Sequence, residues 1–84
     1  MSEREKLQLE IYGQLYTLKV LPEETAQVEA IAGHVNQMMH QIGDNQSRLD
    51  YRDIAVLAAM NITEEYYKLQ REYDELLTII NEER

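Results

Sequence analysis

The sequence predicts an α+β fold. An N-terminal β-hairpin and an amphipathic helix form a small head, and one long C-terminal helix follows, making an oligomeric coiled coil. Three observations carry this. Residues 6–20 alternate apolar and polar side chains in two short runs split by a glycine. Residues 22–42 repeat apolar side chains at three- and four-residue steps. Residues 51–84 contain no Pro or Gly and sustain an apolar heptad. The head is expected over residues 1–50, as hairpin 6–20, first helix 22–42 and loop 43–50. The start of the 51–84 helix completes it.

In KLQLEIY (6–12), Leu7, Leu9 and Ile11 share one face; in LYTLKV (15–20), Tyr16, Leu18 and Val20 do the same. Gly13-Gln14 reads as a two-residue primed turn, with glycine supplying the positive φ. That turn pairs Ile11 with Tyr16, Leu9 with Leu18 and Leu7 with Val20, all on one side, whereas a one-residue slip would break the match. A lone hairpin is not stable in water, so its apolar face needs a helix.

Pro22 ends the second strand and opens the first helix, and Glu23 and Glu24 suit its first turn. Val28, Ile31, Ala32, Val35, Met38, Met39 and Ile42 form its apolar stripe, and Gly43 with Asp44-Asn45 closes it. Gly33, inside the helix, is either a tolerated defect or the mark of a close backbone approach. Asp50 is the expected N-cap of the second helix.

That second helix opens on DIAVLAAMNI (53–62), which is apolar on every side and must be covered all round. Its seam runs Ala55, Ala59, Ile62, Tyr66, Leu69, Tyr73, Leu76, Ile80, in alternating steps of four and three. A helix of roughly 50 Å outruns the head that could cover it. The C-terminal half therefore needs another copy of the chain, which predicts a homo-oligomer. DIAVLAAMNI would meet the partner on its seam side and the hairpin–helix layer on its other sides. Leu77 and Ile79, beside the seam, widen the stripe and favour two dimers meeting tail to tail as a homotetramer over a simple homodimer. Glu64–Lys68 and Arg71–Glu75 offer helix-surface ion pairs.

The composition excludes several classes. With 16 acids against 8 bases and a net charge of −8, the chain lacks the basic footprint of a nucleic-acid or anionic-membrane binder. It has no cysteine for a disulfide or thiolate site, its apolar runs are too short to span a bilayer, and MSEREKLQ is not a secretory leader. A cytoplasmic protein is expected. His34 and His40 are six residues apart, about 240° around a helix, and cannot share a metal within one chain; Ser47 lies in no nucleophile motif; no phosphate loop occurs. Catalytic, metal and cofactor sites are accordingly expected to be absent, and an enzyme is not expected. Asn61, off the seam and facing the head, is expected to bond head backbone.

IYG (11–13), RLDYRDIAVLAAMNI (48–62) and the heptad tail together resemble the ZapA family of bacterial cell-division proteins. The resemblance implies binding of the tubulin-like protein FtsZ, crosslinking of its filaments at the mid-cell division ring, and dimers that pair through their long helices. It places the binding surface on charged head residues. Mapped onto this chain, the candidates are Gln14 at the hairpin tip, Lys19 on the outer strand face, and Arg48, Arg52 and Asp53 at the start of the long helix. Some relatives carry Arg where this chain has Gln14. The self-association surface would comprise Ala55, Ala59, Ile62, Tyr66, Leu69, Tyr73, Leu76, Leu77 and Ile80. Periodicity alone fits equally an oligomeric coiled-coil adaptor or assembly factor for another protein complex. A ribbon-helix-helix DNA-binding protein fits poorly, since the chain is acidic and the second helix too long.

Overall fold

The computed structural model describes residues 3–82, in the order β1 (Glu5–Ile11), β2 (Gln14–Val20), a 3-10 turn (Pro22–Glu24), α1 (Thr25–Gly43) and α2 (Tyr51–Glu82). The expected last residues of the long helix, 83 and 84, lie outside the described residues.

The strands pair antiparallel with Leu7 opposite Leu18, Leu9 opposite Tyr16 and Ile11 opposite Gln14. The expected register is therefore wrong by two residues. The turn is Tyr12-Gly13, not Gly13-Gln14. Both residues take positive φ, at 49° and 81°, as a type I′ turn requires. Moving the turn back by one residue shifts the pairing by two, which preserves the apolar face and so escapes the periodicity check.

Pro22 opens only the 3-10 turn, which the Leu21 N–H closes by donating to Glu24 Oε1 at 2.9 Å. In α1, Ala32, Met38 and Met39 are buried, and Val28, Val35 and Ile42 are half-buried. Ile31 is exposed, contrary to expectation, because it lies beyond the packing of Met38 and Met39 on α2. Asp50 caps α2 as expected, its Oδ1 accepting from the Asp53 N–H at 2.8 Å.

Gly43 is the last helical residue of α1, and its role is space rather than turn-making. A Cβ there would collide with the Tyr12 hydroxyl and would lie 2.7 Å from Ile54 Cδ1. Gly33 has nothing within 4 Å of where its Cβ would stand, so among the described residues no other element's backbone approaches it.

The core joins α1 to the start of α2 through Met39 (2% exposed), Ile54 (3%), Ala58 (1%) and Met38. The protomer is flat: its Cα atoms extend over 51 × 47 × 13 Å. The exposed surface, 7144 Å² for 9.9 kDa, exceeds by about 1,900 Å² that of a compact monomer of this mass. Large apolar side chains, among them Met60, Tyr66, Leu69, Tyr73 and Leu76, are exposed on it.

Candidate functional site

Two features stand out: a tyrosine cluster that locks one end of the head, and a continuous apolar surface that the protomer leaves uncovered.

Tyr12 occupies a backbone region that costs a non-glycine residue about 1 kcal/mol or more, and its surroundings hold it there. Its N–H donates to Asn36 Oδ1 at 2.7 Å. Its ring meets His40 edge-on at 4.7 Å and leans on Tyr51 at 6.1 Å. Tyr51 stitches the hairpin to α2 by donating its hydroxyl proton to the Ile11 carbonyl at 3.0 Å. That proton being committed, the Tyr16 hydroxyl 2.6 Å away must donate to the Tyr51 oxygen. Desolvation, then the hydrogen bond and charge repulsion from Tyr16, push the Tyr51 pKa up to about 12. The cluster was not foreseen from sequence. Asn36 was its one signal, a lone amide between Ala32, Met39 and Gly43 on the apolar side of α1.

The cluster sets where the candidate head residues sit. Gln14 flanks the turn, Arg48 lies in the loop, and Arg52 and Asp53 adjoin Tyr51 in the first turn of α2; all are exposed at this end of the head. Lys19 does not join them. It pairs with Lys6 toward the opposite end of the hairpin, about 16 Å along the strand from Gln14. The backbone N–H of Asp53 is engaged by the cap, while its carboxylate is exposed.

The association surface divides. Ala55 and Ile62 are half-buried against their own head core, so they serve the fold as well as the seam. Ala59, Tyr66, Leu69, Tyr73, Leu76, Leu77 and Ile80 are exposed. An open apolar groove lined by Leu9, Ile11, Leu18, Val35, Met39 and Ala55 continues the seam across the head. A second side of α2, lined by Val56, Ala59, Met60, Thr63 and Tyr67, is likewise uncovered, with Met60 64% exposed. The head therefore covers only one side of DIAVLAAMNI, fewer than expected.

Polar expectations fare unevenly. Asn61 reaches the Met38 sulfur at 4.0 Å instead of head backbone, because α1 turns a side chain and not a carbonyl toward it. The described histidine–carboxylate contacts are His34–Glu65 at 3.6 Å and His40–Asp44 at 3.1 Å. The expected Glu64–Lys68 and Arg71–Glu75 pairs do not close; for such exposed chains ordering costs about as much as the pair returns. Among the described residues no cluster of His, Asp or Glu has metal-site geometry, and no helix is long and apolar enough to cross a membrane.

The family model described as "Cell division protein ZapA" matches residues 7–84. The cell division protein ZapA of Geobacillus sp. (strain WCH70) is 37% identical over 86 residues, covering 100% of this chain and 98% of its own length. That of Bacillus subtilis (strain 168) is 35% identical over 75 residues, covering 89% and 87%. Among solved structures, a ZapA mutant dimer from Geobacillus stearothermophilus superposes with a TM-score of 0.70 at 33% identity, covering 96% of this chain and 93% of that one. An unknown conserved bacterial protein from Pseudomonas aeruginosa PAO1 shares the fold, with a TM-score of 0.79 at 23% identity over 93% of this chain and 86% of that one.

Proposed function

The chain belongs to the ZapA family of cell division proteins, and on that premise we propose that it binds FtsZ and crosslinks its filaments, promoting assembly of the division ring at mid-cell in the cytoplasm. The observation that carries this reading is the flat protomer with an uncovered apolar face along α2. Such a chain is built to be completed by its own copies. An excess of about 1,900 Å² per protomer suits one side of a large obligate interface. The related dimer of Geobacillus stearothermophilus supports self-association as the means of covering it. The partner's α2 then covers the groove between hairpin and α1, and the exposed seam from Tyr66 to Ile80 forms the coiled coil. Leu77 and Ile79 extend the stripe so that two dimers join tail to tail.

The mechanism is avidity. Heads carried apart on α2 rods present several weak sites per particle. Once one head is bound, the next binding step to a polymer is effectively intramolecular. Gln14, Arg48, Arg52 and Asp53, gathered at the tyrosine-locked end of each head, are the proposed contacts there. With a net charge of −8, attraction must come from local basic side chains such as Arg48 and Arg52, not from the whole particle.

The test is sedimentation of FtsZ with GTP at moderate salt, with and without this protein. Co-pelleting together with an increased FtsZ pellet is the expected result. Retention in the supernatant across a range of concentrations would refute the proposal.

A further inference from the structure

The corrected register exposes an arrangement that the function above does not use. Lys6 stands directly opposite Lys19 on the outer face of the hairpin, and the Arg4 guanidinium donates to the Lys19 carbonyl at 3.3 Å. Three of the chain's 8 basic side chains thus gather on one strip of a protein with 16 acids. Like charges placed directly opposite across a strand pair destabilise it. Among the described residues none of the three forms an ion pair. The acid on this face, Glu10, lies opposite Leu15, about 13 Å along the strand from Lys6.

We infer that this outer strip, Arg4–Lys6–Lys19, is a docking site for an acidic segment of a partner protein. The strip faces away from Leu7, Leu9 and Ile11, so covering the apolar face leaves it free. It cannot meet the same strip of a second copy, because that would bury like charges without partners. Leu15, 63% exposed on the same face and directly opposite Glu10, gives the far end of this face an apolar side chain. A peptide with several carboxylates and an apolar side chain matches that layout. The carboxylates would neutralise the Lys6–Lys19 repulsion, so the bound state recovers what the free hairpin forgoes. This deepens the filament-binding reading and rests on it only for the partner's identity: it assigns a second contact, distinct from the Arg48–Arg52 end.

The test uses the full chain and the double variant Lys6→Gln/Lys19→Gln. A fluorescein-labelled peptide rich in Asp and Glu is titrated by anisotropy at low and physiological salt, with phosphatidylserine vesicles and duplex DNA as competitors. The wild-type chain should bind the peptide, more weakly as salt rises. The variant should bind roughly tenfold less tightly or worse. Its Tm should also rise by roughly 1–3 °C at fixed protomer concentration, because the repulsion is gone. A rise in Tm alongside lost binding excludes misfolding as the cause. Equal affinity of the two proteins, or preference of the wild type for vesicles or DNA over the peptide, would overturn the inference. Sedimentation with FtsZ separates it from the broader proposal. If both proteins pellet with filaments equally, the strip is not a filament contact, whatever the peptide result. If only the wild type pellets, the strip is one. If neither pellets, the filament reading fails and the peptide titration alone decides the strip.

Discussion

In the first three turns of α2, Ile54 and Ala58 are shut away by the head; from Thr63 to Glu82 every residue of the same helix is exposed. Both stretches carry apolar residues at heptad spacing. The first stretch has its cover within the chain, since Met38, Met39 and the hairpin lie against it. The second has none. Helical periodicity thus states that a stripe will be buried but not by which molecule. The difference also divides the energetics: head residues hold the protomer fold, while tail residues hold the protomers to each other, so their contribution depends on concentration.

The sharpest way to break this division is Ile54→Ala. It removes a buried side chain from beneath Gly43 and beside Met39, and should lower stability by about 2–5 kcal/mol in urea denaturation. Leu69→Glu should do the converse. It puts a charge on the exposed seam, leaves the circular dichroism of the head unchanged, and lowers the mass measured by sedimentation velocity. If Leu69→Glu unfolds the hairpin at high protomer concentration, or Ile54→Ala only dissociates the particle, the two halves are not separable.

The faces of the fold were legible in the sequence; the pairings were not. Alternation in 6–20 and the steps in 22–42 correctly named Leu9, Val20, Ala32, Met38 and Met39 as interior. Yet the turn was misplaced, because Tyr12 is an unfavourable choice for positive φ. It adopts it only through Asn36, His40 and Gly43, which stand far along the chain. The error had a functional consequence. In the expected register Lys19 faces Gln8, and in the observed one it faces Lys6, so the like-charged pair was invisible until the register was known. Of the candidate contacts, Gln14, Arg48, Arg52 and Asp53 could be grouped only once Tyr51 was seen to tie α2 to the hairpin.

Tyr51→Phe probes the tie itself, with a smaller effect than Ile54→Ala. It removes the hydrogen bonds to Ile11 and Tyr16 and should cost about 1–2 kcal/mol. The wild-type chain should also show it in alkali. The folded Tyr51 pKa is about 12 against 10.0 for the free group, so the folded state holds the proton more tightly. The resulting stabilisation is complete below the unfolded value and declines as pH rises from 10 towards 12. Tyrosinate absorbance followed alongside unfolding checks it: the decline should be shallower in Tyr51→Phe. An identical decline in both proteins would mean that other groups govern the alkaline limit.

Gly33→Ala carries the smallest expected effect and decides the most about α1. Within the protomer its Cβ would meet nothing within 4 Å, and nearby Ile31 is also exposed. If that side of α1 faces solvent in the assembled particle, alanine should stabilise the helix by about 0.5–1 kcal/mol through helix propensity and a less flexible unfolded chain. The particle mass should not change. If instead a second copy's backbone lies against Gly33, the added methyl has no room, and both Tm and mass should fall. The head side of the comparison would then also be incomplete without a partner. Gly43 provides the contrast, because there the crowding comes from Tyr12 and Ile54 of the same chain and alanine is destabilising at any concentration. Measuring both alanine variants across protomer concentrations separates space reserved for the fold from space reserved for the assembly.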